Sequence, residues 1–351
     1  MRRTRASADA PVTSTVAVYG AGGHTGGFVL DELARRGIAA VAVARRAFAA
    51  RSGAPVRIAA INDPVALARA FAGCAAVVNV AGPFLETAAM VIRAALDAGC
   101  HYLDVTAEQE SAHRTLQDFD ADARARGLAV IPAAGFYGGL ADLLATALAA
   151  GAPADQPIDA IEVATALDRW WPTAGTRLTG ARNTFPRKVV EAGRLVALPA
   201  PPTAHDRAFG PPWGELRVEQ VPMSEVITIA HHLPVRRLRT FLAAAALDDL
   251  RDLATPPPRA VDALGRSPQR FRMEVELRDA RGTHRASAGG RDIYAVSAPL
   301  VVEAASRLLR GAAVAGAHTL GSAFDAAGVL RALAPSPLAL EGVDAQHGRA
   351  A

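Results

Sequence analysis

The stretch VAVYGAGGHTGGFVLDEL, residues 16–33, begins as an apolar strand and ends as an amphipathic helix, with five glycines among residues 20–27. Such a turn lets the backbone approach a pyrophosphate closely, and the amide groups and the helix dipole then attract the anion. Glycine is favoured because a Cβ would collide with the ligand or with a neighbouring strand. The stretch therefore predicts a dinucleotide site. The residues predicted to contact it here are Gly20, Gly22, Gly23, His24, Thr25 and Gly26.

The glycine spacing differs from the strict GxGxxG pattern. Thr25 takes the third position, and the chain instead has GxxGxxG through Gly20, Gly23 and Gly26. A glycine motif alone is weak evidence, and a glycine-rich turn without a ligand is the alternative. The position between an apolar strand and an amphipathic helix favours the dinucleotide site.

Strands and helices alternate over residues 14–150. The strands are continuous runs of Val, Ile and Ala, which are typical of a sheet covered on both faces. Alternation with helices implies parallel βαβ units. The predicted fold class is therefore α/β, with a Rossmann doubly wound parallel sheet.

The pattern changes after residue 150. Apolar residues alternate with charged ones over 271–278, and DARG (279–282) supplies a turn, which predicts a β-hairpin. SEVITIAHHL (224–233) predicts a strand, with His231 and His232 on opposite faces, and RKVVEAGRLV (187–196) predicts a helix. A final helix is predicted over 293–310. The second domain is therefore predicted to be α+β and built on a mostly antiparallel sheet.

These patterns divide the chain into four parts. We predict a disordered tail (1–13), a Rossmann domain (14–150 with 289–335), a substrate domain (151–288) and a loose tail (336–351).

The residues after the second strand favour NADP(H) over NAD(H). A site for NAD places Asp or Glu there to bind the ribose 2′-hydroxyl. No acid occurs between Leu33 and Asn62, and Arg45 and Arg46 stand at the predicted strand end. Guanidinium groups bind a 2′-phosphate through paired hydrogen bonds and charge. The alternative is that both arginines are ordinary surface residues. Further predicted cofactor contacts are Asn62, Asp63, Asn79, Ala81, Gly82, Pro83 and Thr106.

Composition argues against several other classes of protein. The net charge is +4, but the arginines are scattered and Lys188 is the only lysine, so nucleic-acid binding is not indicated. No apolar run approaches the length of a membrane helix, and no His/Cys/Asp spacing predicts a metal site. Cys74 and Cys100 suggest no disulfide framework, which fits a reducing cytoplasm. We expect a small-molecule substrate and leave a homodimer open.

Several motifs together resemble the saccharopine dehydrogenase-like NAD(P)-binding oxidoreductases, a family that includes trans-acting enoyl reductase-like members. The matching segments cover most of residues 15–335. They are GAGGHTG (20–26), VVNVAGPF (77–84), AALDAGCHYLDVTAE (94–108), IPAAGFYGGLADLLA (131–145), PTAGTRLTG (172–180), GRDIYAVSAPLVVEAASRLL (290–309) and AGAHTLGSAFDAAGVLRAL (315–333). The resemblance implies a Rossmann domain that binds NADP(H), a sheet-rich second domain that contributes the substrate cleft, and a C-terminal helix that returns to the first domain. The lysine-forming members use an ionisable lysine, and the single lysine here makes saccharopine chemistry doubtful.

Hydride transfer needs a proton donor or an electrophile near the reduced atom. The candidates in the crevice loops are Tyr137, Glu108 and His101. Two of them have a structural alternative: Glu108 as only a cap for the helix after it, and Tyr137 as a core residue.

The loop DRWWPTAGTRL (168–178) is the main candidate for substrate binding. Trp170 and Trp171 are predicted to form an apolar wall, and Thr176 and Arg177 to bind a carboxylate or phosphate at a helix start. The alternative is that both tryptophans fill the domain interface. Phe84 is a further predicted substrate contact.

The sequence favours an NADPH-dependent reductase of a C=C or C=N bond in a small or carrier-bound metabolite. The alternative is a non-catalytic NADP(H)-binding sensor or scaffold. Both bind the cofactor, so the glycine turn does not separate them.

The arginine argument makes a testable prediction. NADPH is expected to bind at least about tenfold more tightly than NADH, because hydrogen bonds to a charged phosphate contribute roughly 1.5–3 kcal/mol. Replacing both arginines (Arg45→Ala with Arg46→Ala) should reduce this preference. Titration calorimetry with the two nucleotides measures it, and equal affinities in the unaltered protein would contradict the argument.

Overall fold

The computed structural model describes residues 14–152, 156–312 and 314–343. The predicted tail at 1–13, and residues 344–351 of the predicted C-terminal tail, lie outside the described residues.

The described residues form two sheets with helices around them. The strands are β1 (Thr15–Tyr19), β2 (Ala40–Ala44), β3 (Val56–Ile58), β4 (Cys74–Asn79), β5 (His101–Asp104), β6 (Ala129–Ile131), β7 (Ala160–Leu167), β8 (Lys188–Glu191), β9 (Arg194–Ala197), β10 (Ala204–Phe209), β11 (Gly214–Gln220), β12 (Leu238–Ala243), β13 (Arg270–Asp279), β14 (Gly282–Arg291), β15 (Gly316–Ala317) and β16 (Ala339–Glu341). The helices are α1 (His24–Arg35), α2 (Pro64–Phe71), α3 (Phe84–Asp97), α4 (Gln109–Asp118), α5 (Asp120–Arg126), α6 (Ala141–Ala149), α7 (Ala174–Arg182), α8 (Glu225–His232), α9 (Ala244–Arg251), α10 (Ile293–Leu309), α11 (Leu320–Ala323) and α12 (Ala326–Ala332). A π-helical turn, Phe136–Leu140, precedes α6.

The first sheet is parallel throughout, in the order β15-β6-β5-β4-β1-β2-β3. β1 lies near the centre, with Val18 beside Ala42 of β2 and Val78 of β4. These apolar strands are buried because helices cover both faces of the sheet. The predicted Rossmann sheet is therefore confirmed.

The second sheet has nine strands, seven of them in the order β10-β11-β12-β7-β13-β14-β16. Its pairs are antiparallel except for β12 with β7. The predicted hairpin is β13 and β14, and alternate residues of β13 from Phe271 to Leu277 are buried. A mostly antiparallel second sheet is thus confirmed.

Two of the predicted elements are wrong. The predicted helix over 187–196 is the hairpin of β8 and β9, because Ala192 and Gly193 both adopt positive φ (49° and 77°) and close a two-residue turn. The predicted strand over 224–233 is α8, whose buried side chains Val226, Ile227 and Ile229 pack in the main core. Packing there outweighs the strand preference of the β-branched residues. His231 and His232 therefore lie in the last turn of α8.

The part of the predicted loose tail that the structure describes contains a strand. β16 pairs with β14, and Leu338 beside it is fully buried. Glu341 of β16 forms an ion pair with Arg272 of β13 at 2.6 Å. The predicted boundary at 288/289 falls inside β14, and the second sheet gains its last strand, β16, only after α10.

α10 returns to the first sheet, as the resemblance implied. It packs against α1, and Glu303 of α10 forms an ion pair with Arg36 at the end of α1. Among the described residues, no helix combines the length and apolar character needed to cross a membrane.

Candidate functional site

The glycine turn lies between β1 and α1 at the carboxyl edge of the first sheet. Gly20 has φ +86°, and a Cβ there would lie 2.9 Å from Cβ of Ala81 in the loop after β4. A Cβ at Gly26 would lie 2.5 Å from the carbonyl oxygen of Gly20. Glycine is therefore required at both positions for α1 to pack this closely on β1.

The amino end of α1 is open. Gly23 is the N-cap residue, and because glycine has no side chain it provides no side-chain cap. Gly22, Gly23 and His24 are exposed. The first amides of α1 are consequently available to an anion, as an N-terminal binding site requires.

A cavity of about 250 Å³ lies beside this turn. One wall is the turn with the first part of α1, another is the loop after β2, and Gly265 from the segment before β13 closes it. Its lining consists of Ala21, Gly22, Gly23, His24, Gly27, Phe28, Phe48, Ala49, Arg51 and Gly265. Of the predicted residues of the turn, Gly22, Gly23 and His24 line this cavity, together with residues that the sequence did not single out.

The residues after β2 and β3 have different environments. Arg45 and Arg46 are exposed and form no ion pair with the described residues. Burial raises the pKa of Tyr19, and the positive charge of Arg45 opposes this shift. Asp63 accepts a hydrogen bond from the amide of Ala66 (2.9 Å), so it caps α2, whereas Asn62 is exposed.

Asn79, at the end of β4, shapes the loop that follows. Its Oδ1 accepts a hydrogen bond from the amide of Ala81 (3.0 Å), and its Nδ2 donates to the hydroxyl of Tyr102 (3.1 Å). The Tyr102 hydroxyl donates to Asp104 Oδ2 at 2.8 Å. Asn79 therefore holds Ala81 and Gly82 at the crevice from beneath.

Asp104 is fully buried at the end of β5. Its Oδ1 accepts hydrogen bonds from the amides of Thr106 (3.0 Å) and Ala133 (2.8 Å). Burial raises the pKa of Asp104 to about 6, and these amides and Tyr102 oppose the shift. The carboxyl group thus ties together the loops after β5 and β6.

Glu108 caps α3. Its carboxylate accepts hydrogen bonds from the amides of Phe84 (2.7 Å) and Leu85 (3.1 Å). Burial raises the pKa of Glu108, and the two amides oppose this. Thr106 supports the arrangement, because its hydroxyl accepts from the amide of Glu108. The alternative prediction was that Glu108 caps the following helix, α4. Its carboxylate instead caps α3, and both carboxylate oxygens accept hydrogen bonds.

The prediction that His101 lies at the carboxyl edge is wrong. His101 is the first residue of β5, so it lies at the amino edge of the parallel sheet. Its Nδ1 accepts a hydrogen bond from the amide of Ala129 (3.0 Å). A residue at the crevice would instead lie at the other end of β5, at or after Asp104.

Tyr137 lies in the π-helical turn at the boundary between the two sheets. Its hydroxyl oxygen is shielded from solvent and has no hydrogen-bond partner among the described residues. Burial raises the pKa of Tyr137 well above 10; Tyr294 and Glu225 add to the shift, and Arg187 opposes it. The hydroxyl is therefore held in its protonated form.

Glu225 was missed by the sequence analysis. It is the first residue of α8 and is only 3% exposed, and its Oε2 also has no partner among the described residues. The amino end of α8 is anchored beside Tyr137, since Ser224 donates to the carbonyl of Thr106 (2.9 Å) and Thr228 to that of Gly138 (3.1 Å). An acid following a serine at a helix start was the available signal.

The aromatic loop before α7 is attached to Tyr294 of α10. The Tyr294 hydroxyl accepts hydrogen bonds from Trp170 Nε1 (3.0 Å) and from the amide of Thr173 (3.3 Å), and lies 2.9 Å from the Thr176 hydroxyl. Trp170 is buried, and its ring centre is 6.0 Å from that of Tyr137. Trp171 is only half-buried.

Arg177 is engaged within the protein. Its guanidinium donates to the carbonyls of Asp252 (3.0 Å) and Thr255 (2.8 Å). Thr176 is bonded to Thr173 and Tyr294. Both predicted anion-binding side chains thus fix α7 in this structure.

α7 lies over the loop after β4. A Cβ on Gly82 would lie 3.0 Å from the Thr179 hydroxyl, and Phe84 packs beside Gly82. Arg182 forms an ion pair with Glu86 of α3 at 2.6 Å. Every residue of α7 is exposed or half-buried, so polar contacts hold this helix against the first sheet. No group of three or more His, Cys, Asp or Glu in the described part of the chain is arranged to hold a metal.

Comparison with known proteins agrees with this geometry. Residues 16–131 match the family model described as saccharopine dehydrogenase NADP binding domain. Saccharopine dehydrogenase (L-Glu forming) from Saccharomyces cerevisiae has the same fold, with a TM-score of 0.65 at 14% identity over 93% of this chain and 99% of that one. The resemblance inferred from the motifs is therefore confirmed by the family model over residues 16–131 and by the shared fold.

Two further solved structures have lower TM-scores. Amine dehydrogenase from Mycobacterium smegmatis has a TM-score of 0.47 at 12% identity over 88% of this chain and 95% of that one. Triphenylmethane reductase from Citrobacter sp. has a TM-score of 0.28 at 25% identity over 34% and 47% of the two chains. The search of curated proteins found no match.

The glycine turn allows a matched pair of substitutions. Gly26→Ala should lower the free energy of unfolding by about 1–3 kcal/mol, because its Cβ meets backbone atoms that cannot move apart. Gly27→Ala, whose Cβ meets nothing within 4 Å, should instead raise it by about 0.5–1 kcal/mol. Urea denaturation measures both. Equal effects would contradict the close approach of α1 to β1.

The ion pair between α7 and α3 is also testable. Arg182→Glu should speed hydrogen exchange of the amides of residues 174–182 several-fold, because repulsion replaces an attraction worth roughly 0.2–1 kcal/mol. Arg182→Glu combined with Glu86→Arg should restore the slower exchange. Failure of the charge swap to do so would show that the pair does not hold α7.

Proposed function

We propose that the protein is an NADPH-dependent reductase of a C=C or C=N bond in a small or carrier-bound metabolite. The observation that carries the proposal is the position of the Tyr137 hydroxyl. It is a protonated donor without a partner among the described residues, and it lies at the boundary between the dinucleotide-binding domain and the second sheet.

The cofactor fits the cradle formed by the glycine turn. The exposed backbone of Gly22 and Gly23 is available to a diphosphate, and the open amino end of α1 attracts it. Arg45 and Arg46 would bind the 2′-phosphate. The name of the matching family model supports NADP(H). Ala81, Gly82 and Pro83 would contact the nicotinamide half from the loop after β4.

Bound NADPH supplies the hydride, and the protein has to supply the proton. When a C=C or C=N bond is reduced with that hydride, the Tyr137 hydroxyl would donate the proton that the neighbouring carbon or the nitrogen needs. The phenolate would regain a proton from water that enters the site between turnovers. The high pKa of Tyr137 makes the phenolate an unstable product, so this return is favourable.

The surroundings of Tyr137 support a flat or unsaturated substrate. Trp170 and Phe136 lie on either side of it, with ring centres 6.0 Å and 5.0 Å away. Such a site excludes water, which strengthens hydrogen bonds to the substrate. Glu108 and Thr106 contribute indirectly, by holding α3 and the loop before it.

The internal contacts favour one alternative, a non-catalytic NADP(H)-binding sensor or scaffold. Glu108, Thr176 and Arg177 are all engaged within the protein, which leaves few free polar groups for a substrate. A cytoplasmic location and a homodimer remain predictions.

Substitution of Tyr137 separates the two functions. A panel of enoyl and imine compounds is first tested for reduction by the unaltered protein. For the compounds that are reduced, Tyr137→Phe should lower kcat about 100-fold, which is the usual contribution of a positioned proton donor. The Kd for NADPH, measured by calorimetry, should stay unchanged, which serves as the control. Unchanged kcat would contradict the role of Tyr137, and NADPH binding without turnover of any compound would favour the sensor.

The pH dependence of activity, measured for the unaltered protein and for Tyr137→Phe, gives a second test of this role. Because the pKa of Tyr137 lies well above 10, the donor stays protonated across the neutral range. The activity of the unaltered protein should therefore show no loss assignable to Tyr137 below pH 10, which is the tyrosine reference value. A loss near pH 7–9 that Tyr137→Phe abolishes would contradict this.

A further inference from the structure

Arg51 is a cation of the cavity beside the glycine turn that the sequence analysis did not identify. Arg51, in the loop after β2, lines this cavity together with Phe48, Gly22 and Gly23. The ring of Phe48 lies 3.6 Å from where a Cβ on Gly22 would be. The cavity therefore joins exposed backbone amides and a guanidinium group, both of which bind phosphate.

Asp31, the present partner of Arg51, would compete only weakly with a phosphate for its guanidinium group. Arg51 forms an ion pair with Asp31 on α1, with Nε 2.9 Å from Oδ2. The side chain of Arg51 is 61% exposed and that of Asp31 33% exposed. Exposed pairs of this kind contribute roughly 0–1 kcal/mol, because water screens them. A phosphate monoester carries about −1.5 to −2 charges at neutral pH and would replace a single carboxylate.

The second sheet restricts the position of Arg51. Gly265 has φ +77°, and a Cβ there would lie 3.1 Å from Arg51 Nη1. The backbone of the segment before β13 thus lies against the guanidinium and leaves it facing the cavity and Asp31. Residues from both halves of the chain therefore form this part of the site.

We propose that Arg51 binds the 2′-phosphate of NADP(H), leaving Asp31 when the nucleotide enters. The inference rests on the proposed function, since it deepens the same cofactor site. The diphosphate is common to NADPH and NADH, whereas only NADPH carries the 2′-phosphate. A comparison of the two nucleotides therefore distinguishes the two kinds of phosphate.

The experiment uses three variants of the full chain and calorimetric Kd values for NADPH and NADH. Arg51→Ala should weaken NADPH binding about 10- to 100-fold, as expected for loss of hydrogen bonds to a charged group, and change NADH binding less than about twofold. Asp31→Asn should act in the opposite direction and tighten NADPH binding a few-fold, because it removes a competitor and a like charge. Arg69→Ala, at an exposed arginine of α2, is the control for loss of one positive charge.

The outcomes separate this inference from the proposed function. Equal weakening of NADPH and NADH by Arg51→Ala would overturn the inference, as would weaker NADPH binding in Asp31→Asn. Failure of the unaltered protein to bind either nucleotide would instead overturn the proposed function. Melting temperatures within a few degrees of the unaltered protein establish that each variant is folded.

Discussion

The close contact between the start of α1 and the end of β1 is the constraint on which the cofactor site depends. Gly26 brings the helix against the carbonyl of Gly20 and the Cα of Ala21, with no space for a Cβ. Gly20 brings the same turn against Ala81 from β4. The amino end of α1 is thereby fixed at the carboxyl edge of the sheet, facing the loops that follow β2 and β4. A wider separation would move the helix amides away from any phosphate at this edge.

Buried carboxylates build the loops around this edge. Asp104 holds the backbone after β5 and β6, and Glu108 holds the start of α3. Each of these buried acids accepts several hydrogen bonds, which offset the cost of removing a charge from water. Because their oxygens are already engaged, these acids position the crevice, and Tyr137 and Glu225 retain polar atoms without partners among the described residues.

The second sheet contributes to the site through three segments. The loop before α7 is bonded to Tyr294, α7 lies over Gly82, and Gly265 lies against Arg51. Polar contacts and an exposed ion pair hold α7, whereas a large apolar core holds the sheets themselves. Regions held mainly by exposed polar contacts open at lower free energy than the core. α7 is therefore the segment best suited to move when a ligand enters.

The sequence by itself determined the parallel sheet, the glycine turn and the β13–β14 hairpin, because each depends on local patterns: apolar runs, glycine at forced positions and alternation. It did not determine α8, the turn at Ala192 and Gly193, the partner of Glu108 or the engagement of Arg177. These depend on residues far apart in the chain, such as Thr228 with Gly138 or Glu108 with Phe84. Only the tertiary structure decides such cases, because a polar or β-branched side chain has several acceptable local states and the long-range contact selects one of them.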